Sequence, residues 1–223
     1  MTISALFNEL ADIFAADVAI ETHARAALQS AALKSATLKS AALQSAALQS
    51  AAHQQISGHV DRQPAPAGYP APPPTPLVSI MAAPDALPVC QHLLQLPLDW
   101  SPPTTSSDPL FIKHSQPTVH IELVGPGGLV HADDIRIGLY GMTPNATYGI
   151  RTHPAEEIYV MLAGSVWWKR GDDDFSQHHP GSRSYHPSMM PHANRTEQRA
   201  FLSIYAWQGD ISTDQYLYAG VPE

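Results

Sequence analysis

Residues 119–142, VHIELVGPGGLVHADDIRIGLYGM, alternate apolar or β-branched positions with polar ones on either side of a GPGG turn. The same period of two returns in EEIYVMLAGSVWWK at 156–169 and in RAFLSIYAW at 199–207. TPN, GDDD and PGS separate these runs as turn signals. Repeated short strands with turns between them predict an antiparallel all-β sandwich or barrel over 119–223.

Upstream the pattern changes three times. Residues 2–24 put Leu6, Leu10, Ile13 and Phe14 at helical spacing behind a cap at Thr2 or Ser4, which predicts an amphipathic helix. From Ala27 to Ala52 a five-residue repeat sets leucines at 28, 33, 38, 43 and 48. Five residues overshoot one helical turn by about 140°, so these leucines spiral round the axis and form no stripe. Residues 1–60 therefore read as a helical, low-complexity extension whose removal leaves the barrel folded. Residues 61–76 carry seven prolines in their last thirteen positions, the composition of an extended linker. Residues 77–118 hold a short apolar helix around Cys90 to Leu94 and proline-rich turns, a segment expected to pack on the barrel.

Composition narrows the chemistry. Twelve Lys+Arg against twenty Asp+Glu give the 223-residue chain a formal charge of −8, which excludes a nucleic-acid footprint as the main partner and points to a small molecule. One cysteine excludes a disulfide framework and a CxxC metal site, so any metal must sit on histidine, carboxylate or tyrosine oxygen. No apolar run is long enough for a membrane helix, and MTISALFNELADIF carries acids where a secretion signal carries bases. The expected setting is the cytoplasm; homodimerisation stays open.

The chemistry collects at 148–159, YGIRTHPAEEIY. Strand alternation puts Glu157, Tyr159 and Met161 on one face and Ile158, Val160 and Leu162 on the other. A carboxylate and a phenol turned into a barrel need partners, and a divalent metal is one. His153, four residues before Glu157, can close on the same ion, and His192 from a neighbouring strand would complete a His/Glu/His set. His178, His179 and Asp172 to Asp174 fall in polar turns and read as solvated, as does Glu156.

This spacing resembles the cupin superfamily. His153, Glu157 and Gly164 match the second half of its first motif, G-x5-H-x-H-x3–4-E-x6-G, and Pro180-Gly181 followed by Pro191-His192-Ala193-Asn194 resembles the second. The resemblance implies a small double-stranded β-helix, or jelly-roll barrel, behind the N-terminal helical segments. Arg151 stands where the first motif histidine belongs, and Asn145 where the leading glycine would be. An arginine has no lone pair for a cation, so either three ligands suffice or another group fills in. Tyr159 is that group by its shared face with Glu157.

TYGIRTHPAEEIYVMLAGSVWW and PGSRSYHPSMMPHANRT look like the cupin-type dimethylsulfoniopropionate lyases, especially the short form DddL. That resemblance implies cleavage of a sulfonium carboxylate to dimethyl sulfide and acrylate with a divalent metal (zinc, manganese, iron, cobalt or nickel). By residue-wise match it assigns Tyr148 as the base, Tyr159 as ligand or second base, and His153, Glu157 and His192 as metal ligands. Aromatic faces would cradle the sulfonium, with Trp167, Trp168, Tyr185, Tyr140 and Trp207 available and the first two excluded from pointing inward together. Two other readings use the same scaffold. One is a different metal-dependent cupin enzyme, a small-acid dioxygenase or sugar isomerase; the other is a ligand-binding cupin without catalysis, which Arg151 favours.

Overall fold

The computed structural model describes residues 2–53 and 70–222, and side chains throughout these except at 37–53. Ten strands form two five-stranded sheets. The strands are β1 (Thr118–Val124), β2 (Ile135–Met142), β3 (Thr147–Thr152), β4 (Glu156–Gly164), β5 (Val166–Arg170), β6 (Ser176–His178), β7 (Arg183–His186), β8 (His192–Arg195), β9 (Phe201–Gln208) and β10 (Leu217–Gly220). One sheet runs β1-β2-β9-β4-β7 and the other β10-β3-β8-β5-β6, and every strand pair is antiparallel. This is the antiparallel, jelly-roll type of barrel expected over 119–223.

The alternation on β4 carries both cores. Tyr159 and Met161 join Tyr140, Tyr148, Trp168, Phe201, Tyr205 and Trp207 in an aromatic cluster between the sheets. Ile158, Val160 and Leu162 face the other way, into a cluster made with the N-terminal helices. Both faces of the first sheet are thus covered, which explains why β4 is buried along nearly its whole length. The turn that ends β4 requires Gly164: its φ is +75°, and a Cβ there would lie 2.0 Å from the Ala200 carbonyl oxygen.

Two helices precede the barrel, α1 (Ile3–Ile13) and α2 (Ala19–His53). The continuous helix expected over 2–24 is broken between them. Phe14 is extended at ψ 135°, the Glu21 carboxylate accepts from the Ala15 amide at 2.6 Å, and Arg25 donates to the Ala11 and Phe14 carbonyls left open at the end of α1. The break lets α1 fold back on α2. Thr2 caps α1, accepting from the Ala5 amide at 3.2 Å.

The repeat also behaves differently from the expectation. Ile20, Ala24, Leu28 and Ala31 fall at spacings of four, four and three, and all are buried in the same cluster as β1, β2, β4 and β9. Leu33 spirals away and is 73% exposed, as the leucine geometry predicts, but alanines and the residues before the repeat complete a stripe that leucines alone do not make. A half-buried ion pair reinforces the seat: Glu21, fully buried, takes Nε of the exposed Arg183 of β7 at 2.8 and 3.0 Å. We propose that α1, the first turns of α2 and the barrel fold as one unit, with no boundary at residue 60. The repeat's later leucines and residues 61–69 of the proline tract lie outside the described side chains and residues.

Three short helices lead into β1: α3 (Thr75–Met81), α4 (Val89–Leu93) and α5 (Pro109–Ser115). α3 begins inside the expected linker because Pro76 sits in its first turn, where a missing amide costs nothing. α4 is the helix expected near Cys90, whose thiol is buried against the Leu162 carbonyl. The sequence reading missed α5, although Asp108 caps it by accepting from the Leu110 and Phe111 amides. Among the described residues no helix is long and apolar enough to cross a membrane.

The burial makes a direct test. Leu10→Ala and Leu28→Ala should each destabilise the protein by about 2–5 kcal/mol, the range for deleting a fully buried leucine side chain. Thermal and urea melts check this. Unchanged melts would restore the separable extension.

Candidate metal centre and active site

Four neighbouring segments converge on one carboxylate. On β4, Glu157 pairs across to His186 of β7 on one side and to Trp207 of β9 on the other. The turn between β3 and β4 brings in His153, and β8 of the opposite sheet brings in His192. Glu157 Oε2 lies 3.4 Å from His153 Nε2, 3.2 Å from His192 Nε2 and 3.4 Å from His186 Nδ1, while the Trp207 indole N–H donates to Oε1. All four partners of Glu157 and the carboxylate itself are buried. Burial alone would raise the Glu157 carboxyl, but the side-chain hydrogen bonding around it, with His186 as an imidazole donor, holds it well below the usual carboxylate range.

The imidazoles divide into two kinds by what holds their other nitrogen. His153 Nδ1 lies 3.1 Å from the Ala155 carbonyl and His192 Nδ1 2.8 Å from the Met190 carbonyl. A carbonyl only accepts, so in each ring Nδ1 carries the proton and a neutral ring then turns a bare Nε2 lone pair toward Glu157. Both Nε2 atoms are buried without a hydrogen-bond partner. Two lone pairs aimed at an anion repel unless a cation lies among them, and the candidate ligand atoms of His153, Glu157 and His192 all fall within 4.8 Å of one another. This donor set fits a divalent metal, with the backbone carbonyls fixing ring orientation. His186 is different. Ser184 Oγ sits 2.9 Å from its Nε2, leaving Nδ1–H to donate to Glu157, and its ring stacks on His192 at 4.3 Å. It orients the carboxylate.

The expected catalytic tyrosines line the same cavity. A space of about 40 Å³ is bounded by Tyr140, Tyr148, Arg151, Glu157, Tyr159 and Trp207, among others. Tyr148 Oη is 3.0 Å from Tyr216 Oη, and Tyr159 Oη is 3.5 Å from Arg151 Nη2. Burial pushes both phenols well above 10; the Glu157 carboxylate pushes Tyr159 further. Of the aromatic residues offered for a sulfonium, Tyr140, Trp168 and Trp207 enter the interior cluster. Trp167 instead lies under Arg195, and Tyr185 is exposed. A much larger groove of about 1310 Å³ runs outside β1, past Thr2, Leu98 and Leu129, and shares only Pro103 and His120 with this cavity. It holds no comparable set of reactive groups.

Three residues of the site were not assigned from sequence. His186 was legible in principle, because RSYH alternates and buries Ser184 and His186 together. Tyr216 stands in a turn before β10 and carries no periodic signal. Arg151 faces inward because β3 bulges: Tyr148 pairs with Asn194 and Arg151 with His192, so three steps on β3 match two on β8. Strict alternation would have put Tyr148 and Arg151 on opposite faces. The turn residues His179 and Asp172 to Asp174 are exposed, whereas His178 and Glu156 are half-buried, the latter accepting from Gln208 at 2.9 Å.

Two outcomes follow from this geometry. His153→Ala and His192→Ala should each lose bound metal by elemental analysis, while His186→Ala should weaken retention less, because its nitrogen facing Glu157 is a donor. Burial also lowers His186 from 6.5 to about 4 against the opposing pull of Glu157. The unfolded chain therefore takes up a proton as pH falls through about 6.5, and the folded chain does not until about 4. The melting temperature of metal-free protein should fall between pH 7 and pH 4.5, and His186→Gln should flatten that slope.

Comparison with known proteins places this geometry. The family model for dimethylsulfoniopropionate (DMSP) lyase matches residues 82–203, more than half of the chain. The DMSP lyase DddQ of Ruegeria pomeroyi is 36% identical over 91 residues, 41% of this chain and 45% of that protein, so the chain spans under half the length of this curated relative. The crystal structure of DddQ from Ruegeria pomeroyi superposes with a TM-score of 0.55 at 23% identity, covering 81% of this chain and 95% of that one. A chain from the crystal structures of the DMSP lyases RdDddP and RnDddQII gives 0.54 at 21% identity over 65% and 77%. The two solved structures share the fold. The likeness to DddL in particular finds no support, since these relatives are DddQ and, in one pair of structures, DddP and DddQII. By the extent of the family match, the chain belongs to the dimethylsulfoniopropionate lyase family.

Proposed function

We propose that the chain is a carbon–sulfur lyase that cleaves DMSP to dimethyl sulfide and acrylate by base-catalysed β-elimination. The observation that carries this reading is the pair of bare imidazole nitrogens aimed at Glu157 beside two buried phenols, in a member of this family. His153, Glu157 and His192 would hold a divalent first-row metal, zinc, manganese, iron, cobalt or nickel, with Tyr159 as a fourth ligand. When bound, such an ion supplies Lewis-acid stabilisation for charge that builds on the substrate carboxylate.

The chain's own groups do the rest. Tyr148, having first given up its own proton, takes the proton from the carbon next to the carboxylate onto its phenolate Oη. That C–H pair becomes the C=C bond of acrylate, and the C–S pair leaves on sulfur as neutral dimethyl sulfide. Tyr216 Oη, 3.0 Å from Tyr148 Oη and on a half-buried ring, is the path by which the proton reaches solvent. The cluster of Tyr140, Trp168 and Trp207 excludes water and offers ring faces to the sulfonium, a cation with no hydrogen to donate.

Purified protein should release dimethyl sulfide into the headspace from DMSP, and a chelator should suppress that release. Tyr148→Phe should cut the rate by about 10²–10⁴-fold, the usual worth of a general base, with fold and metal content retained. Tyr159→Phe should lower metal content as well as rate. A Tyr148→Phe protein keeping more than about a tenth of the rate, inside that range, would move the base role to Tyr159.

A further inference from the structure

Arg151 is a cation buried in the barrel with no anion to answer it. Its side chain is 2% exposed. Its guanidinium carbon lies 4.5 Å from the Tyr148 ring centroid and 5.4 Å from that of Trp168. Its hydrogen bonds, to the Gly149 carbonyl at 3.4 Å and Tyr159 Oη at 3.5 Å, are at the long limit and go to neutral groups. Among the described residues no carboxylate lies within 4.0 Å of it. Among the described residues Glu157 is the one carboxylate lining the cavity, and three imidazoles and an indole already surround it.

Aromatic faces recover part of what a guanidinium loses on leaving water; they do not replace a counter-charge. An arginine in this state is stable only because the surrounding fold holds it, and it is poised to take an anion that enters the cavity. The planar fork of N–H groups matches a carboxylate in shape, two parallel bonds to two oxygens. The indole N–H of Trp168, in the aromatic cluster beside Arg151, is a buried donor without an acceptor.

We propose that Arg151 is the anchor for the substrate's carboxylate, and that it sets the direction in which a sulfonium carboxylate lies in the barrel. The anchor rests on the lyase reading for the identity of the substrate, though not for the class of anion. With the carboxylate on the guanidinium, like-charge repulsion turns the sulfonium away from Arg151 and onto ring faces. A residue that cannot ligate a cation thereby occupies the position of the first cupin-motif histidine and gives carboxylate recognition that does not depend on a metal.

The test is calorimetric titration of acrylate into the full chain after chelation, for wild type, Arg151→Lys and Arg151→Met, alongside dimethyl sulfide release by the untreated proteins. Wild type should bind acrylate without metal. Arg151→Met should bind it at least about tenfold more weakly, and Arg151→Lys, a point charge without the fork, should fall between. In the untreated enzymes the Arg151→Met change should raise KM for DMSP with unchanged metal content, and a fall in kcat beside it would report the loss of the charge next to the two phenols. Arg151→Gln replaces Arg151→Met if the latter does not fold. Equal acrylate affinity in wild type and Arg151→Met, or loss of wild-type binding on chelation, would overturn the anchor. Acrylate binding that needs Arg151 in a protein that releases no dimethyl sulfide would overturn the lyase reading and leave the anchor standing.

Discussion

A single buried carboxylate organises this molecule. Glu157 sits ionised in the middle of a protein with His186 of β7 and Trp207 of β9 donating to it, and with His153 of the β3–β4 turn and His192 of β8 turned toward it as a cation would require. An uncompensated charge at that depth costs several kcal/mol, so each of those segments is tied to the others through the electrostatics of one residue. The register of β4 between β7 and β9 sets His186 and Trp207 directly beside Glu157, and a slip of one residue would turn it out of the barrel. Fold and site are therefore specified by the same alternation.

That is also why so much was readable from the sequence. Along β4 a period of two sorts Glu157, Tyr159 and Met161 from Ile158, Val160 and Leu162, and both sets are buried where the pattern puts them. His153 sits close to Glu157 in the chain and His192 follows a turn, so their meeting needed only the barrel to close. What was not readable depends on features without a period. The β3 bulge that brings Arg151 to the same face as Tyr148 inserts one residue in a way alternation cannot show. Tyr216 reaches Tyr148 from a turn 68 positions away. In α2 the leucine spiral was legible, but burial of Ala24 and Ala31 was not, because alanine reads equally well on either face of a helix.

The helices matter to the site through the outer face of the first sheet. Leu6, Leu10 and Leu28 share one cluster with Ile158 and Val160, the neighbours of Glu157 and Tyr159 on β4. Arg183, which precedes Ser184 and His186 on the edge strand β7, is bound by Glu21 of α2 and by the Ile13 carbonyl that ends α1. β7 has no strand beyond it in the sheet, so its position is fixed on one side by β4 and from above by this ion pair. The N-terminal helices thus contact the same edge strand that carries His186 to Glu157.

The tyrosines bring out a conflict that the interior must resolve. A phenol becomes a base by losing its proton, and burial opposes that loss, as it does for Tyr148 and Tyr159. Water exclusion, which strengthens every charge interaction on which an elimination depends, therefore weakens the base unless positive charge is built in nearby. Arg151 is that charge: it lies over the Tyr148 ring and next to Tyr159 Oη, and it opposes the upward shift of both. A cation on His153, Glu157 and His192 would add to it from the other side. A histidine at position 151 would be neutral as a ligand and would leave the phenols facing only the bound ion. A guanidinium keeps its charge throughout the physiological pH range. The departure from the cupin motif at this position thus places a permanent positive charge, where the motif has a neutral imidazole, beside two phenols in a dry interior.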